Sequence, residues 1–329
     1  MSGEARRAHW SEYREETAGY WHVKLILILF RVFPVIFLRV IAYGVSFFYY
    51  LFSGRARTES RRYLERINAQ RPGQKPLRPP AHIASFSLSL VEKVEAWGGK
   101  ALLGRVCFQE DDIGGLIEGL EQGKGALLLT SHLGNIEFIR ALAGFSRTGV
   151  SRNVPVTVLV DFSVTGDFNR MLQELNPESQ VQTISVNEVG PETVVLLQDR
   201  IACGELVAIA GDRTSANTRN KYFHLPFLGR EAPFAYGPFL LAALLEGPAY
   251  FVFALRQKDL SLGSRYNMHI HRVPVSFDCP RKEREQRMEQ LARLFAGRLE
   301  YYCMLHPYQW YNFYDFWAEP RPVHYGKTR

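Results

Sequence analysis

The feature that most constrains this chain is a series of short, β-rich apolar runs separated by segments of helical length. The runs are Ala126–Leu129, closing in Thr130-Ser131, then Val154–Val160, Val181–Ser185, Glu205–Ala210 and Ala249–Leu255. Each is too short for a surface helix and reads as a strand, a buried one where the run is apolar throughout, as in Ala126–Leu129 and Ala249–Leu255. Between them fall helical stretches at Asp111–Gly123, Ile136–Phe145, Asp167–Glu174, Pro191–Cys203 (closed by Gly204) and Pro238–Leu245. Strands alternating with helices at this spacing predict an α/β fold, with a mostly parallel central sheet flanked by helices. Further predicted elements are helices at Glu59–Ala69, His82–Gly98 and Arg281–Tyr302, and strands at Val106–Glu110 and Met268–Val275. The proline-rich residues 70–80 read as a loop.

In an open α/β sheet the chemistry sits beyond the carboxyl ends of the strands. Two strand ends carry suitable residues. After the Ala126 strand comes Ser131-His132-Leu133-Gly134-Asn135-Ile136-Glu137. Gly134 and Asn135 suit a turn and N-cap, so Glu137 falls in the first turn of the next helix. A carboxylate there can hold one nitrogen of His132 and leave the other as a general base. Taken alone, the spacing fits an ordinary loop histidine equally well. After the Glu205 strand comes Gly211-Asp212-Arg213-Thr214. The glycine permits a sharp turn, and Arg213 offers a planar fork for a phosphate or carboxylate. An Asp–Arg surface pair at a turn explains the same residues.

The N-terminal region divides into polar residues 1–20 and an apolar stretch from Trp21 to Phe52, with Arg55, Arg57, Arg61 and Arg62 just beyond. The apolar stretch starts too late and runs too long for a signal peptide. Lys24, Arg31 and Arg39 fall along one side of a helix, with Leu, Ile, Val and Phe opposite. The expectation is a membrane anchor over residues 21–54. It is either an interfacial helix with its arginines toward headgroups or a tilted span with snorkelling arginines. Residues 55–329 are expected to form a single α/β domain.

A net charge of +7 over 329 residues suits an anionic membrane surface, an acidic carrier protein or phosphate-bearing substrates. No basic run is interleaved with aromatics outside the apolar segment, which disfavours a nucleic-acid binder. The four cysteines, Cys107, Cys203, Cys279 and Cys303, contain no C-x2-C pair and suggest neither zinc nor a disulfide framework. His269 and His271 share a strand face, but no third metal ligand is evident.

Together these blocks resemble the lysophospholipid acyltransferase superfamily, and most closely the bacterial lauroyl/myristoyl acyltransferases that complete lipid A. Ser131–Glu137 is similar to that superfamily's H-x4-D/E block. Gly211–Arg213 resembles its second strand-end block, and Phe223–Gly229 its F-x-P-F-F-G segment. Pro307-Tyr308-Gln309-Trp310 is similar to its C-terminal P-x-Q-W. The resemblance implies a glycerol-3-phosphate acyltransferase-like fold with an N-terminal membrane-anchoring helix. It implies catalysis by His132 and Glu137, and substrate binding by Ser131, Gly134, Asn135, Asp212, Arg213 and Thr214. Backbone N–H groups near Gly134 and Asn135 would hold the oxyanion. No cofactor or metal is implied beyond an acyl thioester co-substrate, acyl carrier protein or acyl-CoA. The partners are then acyl carrier protein, a membrane lipid acceptor and the membrane surface. The setting is the cytoplasmic face of a bacterial inner membrane. The apolar segment His224–Gly229 either covers an acyl chain or packs as a surface loop. A membrane-anchored hydrolase and a non-catalytic lipid- or carrier-binding protein remain the alternative functions.

Overall fold

The computed structural model describes residues 33–98, 104–109, 112–139, 150–161, 181–213, 221–263 and 265–318. Three helices come first: α1 (Val35–Phe52), α2 (Gly54–Ala69) and α3 (Pro79–Gly98). Strand β1 (Val106–Phe108) and helix α4 (Ile113–Glu121) lead into β2 (Ala126–Thr130). Strands β3 (Val156–Val160) and β4 (Val181–Ser185), helix α5 (Pro191–Ala202) and strand β5 (Leu206–Ala210) follow. The hairpin β6 (Tyr222–Phe227) and β7 (Arg230–Ala235) precedes α6 (Tyr236–Leu244). Strands β8 (Ala249–Arg256) and β9 (Tyr266–Arg272) and helix α7 (Arg284–Leu305) complete the order.

Seven strands form one sheet in the order β1-β9-β8-β2-β5-β3-β4. Every pairing is parallel except β8 with β9, which turn on each other as a hairpin. The uniformly apolar strands are explained by burial on both faces. Leu127 and Leu129 of β2 point into a core shared with α2, α6, α7 and the small hairpin. Ala126 and Leu128 point the other way, toward α4, β1 and β9. The α/β class and the mostly parallel sheet are as expected.

Several elements differ from expectation. The helix expected over Ile136–Phe145 is a short 3-10 turn, Ile136–Ile139, in its described part, and residues 140–149 lie outside the described residues. The expected Asp167–Glu174 helix also lies outside them. Phe223–Gly229 is no loop. It forms β6 and the two-residue turn of the hairpin, with Leu228 (φ 49°) and Gly229 (φ 76°) both left-handed as a tight antiparallel turn requires. Its alternate side chains Phe223, Leu225 and Phe227 point into the core, where Phe227 meets Trp310 edge-to-face at 5.2 Å. The segment is packed on the core, as one of its two readings had it, but as a hairpin strand rather than a loop.

The N-terminal helix is also turned differently from expectation. Lys24 and Arg31 lie outside the described residues. Arg39 does not project from the open face of the helix: it is buried, donating from Nη2 to Glu95 Oε2 of α3 at 2.5 Å and from Nη1 to the Leu262 carbonyl. Leu38, Ala42 and Ser46 are buried along the same stripe. The rest of the circumference is open, with Ile36, Phe37, Val40, Ile41, Val45, Phe47, Phe48, Leu51 and Phe52 exposed. A buried guanidinium needs a carboxylate more than an apolar side chain needs cover, so Glu95 sets the rotation of the helix. At its C-terminus Arg57 donates to the Tyr50 and Leu51 carbonyls and satisfies acceptors the helix leaves open. Among the described residues α1 is the helix long and apolar enough to cross a membrane.

Candidate active site

Strands β2 and β5 are parallel neighbours in which Thr130 stands opposite Ala210. Continuing that register by two residues places His132 opposite Asp212, and the Gly211 N–H still bonds the Thr130 carbonyl at 2.8 Å. No side chain fits at Gly211, because a Cβ there would meet the Phe295 ring at 2.9 Å. The chain can therefore bring Asp212 close behind the imidazole.

His132 Nδ1 lies 2.8 Å from Asp212 Oδ1, and the His132 backbone N–H donates to Asp212 Oδ2 at 2.8 Å. The Trp310 indole N–H donates to the same Oδ2 at 3.0 Å. The Asp212 side chain is 1% exposed. Burial works to raise its pKa, but the His132 imidazole, the Trp310 indole and the His132 amide together hold it below the usual carboxylate range. An ionised Asp212 has no proton to give, so Nδ1 carries the hydrogen and Nε2 carries the lone pair. His132 itself is lowered, first by burial and then by the neighbouring Arg213 cation, against the pull of Asp212. The imidazole is therefore neutral at neutral pH. Its side chain is 33% exposed, and Nε2 makes no hydrogen bond among the described residues. The arrangement is a base braced by a buried carboxylate, and the base nitrogen faces outward.

This reassigns two expected roles. The carboxylate on the ring is Asp212, not Glu137. Glu137 sits in the 3-10 turn and makes no hydrogen bond to His132, and its backbone N–H donates to Asn135 Oδ1 at 3.2 Å. The intervening residues are pinned elsewhere by bridges from Leu133 to Trp310 and from Gly134 to Ala254, so no helical turn returns Glu137 to the imidazole. Asp212, expected to bind substrate, is enclosed by protein donors.

The expected oxyanion donors are also committed. The Gly134 N–H bonds the Gln309 carbonyl, and the Asn135 N–H bonds the Ala254 carbonyl, each at 2.9 Å. Gly134 has φ +77°, and a Cβ there would lie 2.1 Å from the Ala254 oxygen, so the glycine serves this close passage. Ser131 is buried and accepts the Leu133 N–H, and Asn135 is buried beneath the turn. Of the expected substrate contacts, Arg213 lies half-buried beside the pair, close enough for its charge to act on His132. It donates from Nη2 to the Tyr311 carbonyl at 3.4 Å and lies 6.0 Å from the Tyr314 ring centroid. Thr214 lies outside the described residues.

The C-terminal segment does more than its motif suggested. Trp310 is fully buried between Tyr63 and Phe227 and donates to Asp212. Its carbonyl takes a hydrogen bond from His82 Nε2 at 2.8 Å, and the Tyr311 N–H bonds the His132 carbonyl at 3.2 Å. Gln309 accepts the Arg256 N–H and returns a bond to the Arg256 carbonyl. A buried tryptophan in a P-x-Q-W run needs an acceptor for its indole N–H, and that need was the available signal for its partner. The buried Arg256–Glu92 pair, bonded at 3.0 and 2.8 Å, had no local signal. Among the described residues no His, Cys, Asp and Glu cluster forms a metal site, and His271 spends Nε2 on the Tyr302 hydroxyl. No protein-family model and no curated protein matches the chain.

Proposed function

We propose that the protein is a membrane-associated acyltransferase that moves a fatty acyl group from a thioester to a hydroxyl or amine of a lipid acceptor. The observation that carries this reading is the neutral His132, whose Nδ1–H is held by the buried Asp212 while Nε2 faces outward. Nε2 takes the proton of the acceptor hydroxyl or amine as that group attacks the thioester carbonyl. The tetrahedral intermediate then collapses, the C–S bond breaks, and the imidazolium returns its proton to the departing thiolate. Asp212 stabilises the imidazolium formed on the way. Arg213, whose charge acts on His132, suits an acceptor phosphate or carboxylate.

The exposed apolar face of α1 supports work at a bilayer. The net charge of +7 favours an acidic acyl carrier protein as donor, with acyl-CoA second. The same reading puts the protein at the cytoplasmic face of a bacterial inner membrane. The test is to incubate the protein with an acyl-carrier-protein thioester, with and without membrane lipid, and analyse the lipids by mass spectrometry. Acylated lipid that disappears in His132→Ala supports transfer. Thioester cleavage that is equal without lipid assigns the pair to hydrolysis. Binding without turnover assigns a carrier role.

A further inference from the structure

A second polar feature lies on the sheet edge that carries His132, away from the catalytic pair. Strands β1 and β9 run against β2, so they begin where β2, β5 and β8 end. At those starts, beside α1, lies a pocket of about 640 Å³ lined in part by Val35, Ile36, Arg39, Arg105, Cys107 and Arg265. β1 stands three strands from β2, or roughly 14 Å at ordinary sheet spacing.

The lining is unusual in combining three guanidinium groups with an apolar rim. Arg105 and Arg265 are exposed and hold no ion pair among the described residues. Arg39 is buried in the wall, and its Nε has no hydrogen-bond partner. One carboxylate, Glu95, is bonded to Arg39, and the charge of Arg105 also reaches it. Val35 and Ile36 open α1, whose exposed apolar face continues from the rim for the full length of the helix.

The lie of α1 also limits how a bilayer can meet it. The β8–β9 turn touches the helix at mid-length, where the Tyr43 hydroxyl donates to the Leu260 carbonyl and Arg39 to the Leu262 carbonyl. That turn carries Lys258 and Asp259. A spanning α1 would bring them to membrane depth, where charges are expensive. Lipid contact along the outer face, with the helix axis near the membrane plane, would leave both charges in water.

We propose that this pocket binds the phosphate of an anionic membrane lipid, with Arg105, Arg265 and Arg39 Nε around the headgroup and the acyl chains lying along Ile36, Phe37 and Val40. It is a site separate from the one holding the acyl acceptor. Guanidinium forks bond phosphate oxygens in pairs, and the adjacent apolar face takes the chains that a soluble phosphate lacks. The inference rests on α1 meeting a bilayer and is independent of acyl transfer.

The experiment is vesicle co-flotation of the full chain, with phosphatidylcholine alone and with added phosphatidylglycerol. Wild type floats with both and binds the anionic vesicles more tightly. R105Q/R265Q lowers affinity for anionic vesicles by about thirtyfold, the worth of two surface cations, and leaves phosphatidylcholine binding unchanged. R281Q/K282Q, in the turn before α7 and outside the pocket lining, is the control for general charge and changes anionic binding far less. Equal binding to both vesicle types by wild type, or equal losses in the two double variants, overturns the pocket. Tight binding of inorganic phosphate without vesicles, lost in R105Q/R265Q, overturns the lipid assignment. Failure of wild type to bind either vesicle overturns the membrane reading together with the pocket.

Discussion

The exchange Asp212→Asn tests the site through the position of one proton. In the native site Oδ2 accepts two N–H groups, from the His132 backbone at 2.8 Å and Trp310 at 3.0 Å, while Oδ1 accepts from Nδ1 at 2.8 Å. An asparagine keeps its oxygen where two donors converge, because the amide NH2 there would oppose both. The NH2 group then points at Nδ1, which must become an acceptor. The ring proton moves to Nε2, and the base nitrogen loses its lone pair. Exchange of an orienting aspartate for asparagine costs on the order of ten-thousandfold where it forces the wrong tautomer, about 5 kcal/mol of barrier. The chain stays folded, because two of the three hydrogen bonds survive in neutral form. Nitrogen NMR of 15N-histidine protein, with the His132 signal assigned by its loss in His132→Gln, reads the tautomer directly. Turnover of the acyl thioester reads the rate. A proton still on Nδ1 in the variant refutes the hydrogen-bond reasoning. A rate within tenfold of wild type with the tautomer exchanged refutes the role of His132 as base.

His132→Ala should lower turnover by roughly a hundred- to ten-thousandfold, whereas Glu137→Gln, without a hydrogen bond to the imidazole, should lower it less than Asp212→Asn in the same assay. The acidic limb of the rate profile should fall below the usual histidine value of about 6.5, because burial and then Arg213 lower His132; Arg213→Gln should move that limb to higher pH. His82 is buried neutral, with its pKa lowered by burial to about 4. Its folded value lies below its unfolded one, so this stability is present above pH 6.5 and lost as pH falls toward 4. Linkage puts the loss at about 3 kcal/mol, and urea midpoints at pH 7 and pH 4 should show it in wild type and not in His82→Gln. Glu92→Gln leaves the buried Arg256 guanidinium without its bidentate carboxylate and should cost about 3–5 kcal/mol in urea denaturation.

Much of this architecture follows from the chain read residue by residue. Ala126–Thr130 and Leu206–Ala210 are apolar at every position but the closing threonine, and only strands buried on both faces use residues that way. The end of each such strand is where polar residues become informative, so His132 and Asp212 were marked as candidates there, although the local pattern alone fitted an ordinary loop as well. What local pattern could not supply was their pairing. Glu137 is five residues from His132 along the chain and Asp212 is eighty, yet the β2–β5 register places Asp212 on the ring and the bridges to Trp310 and Ala254 hold Glu137 off it. The same limit applies to α1. Composition marks Val35–Phe52 as apolar with one arginine, but only the position of Glu95 on α3 decides that Arg39 turns inward and the apolar face outward. Secondary structure and burial on both faces are short-range consequences of which side chains water rejects. The partner of a buried charge depends on which strands and helices become neighbours, and only the folded chain settles that.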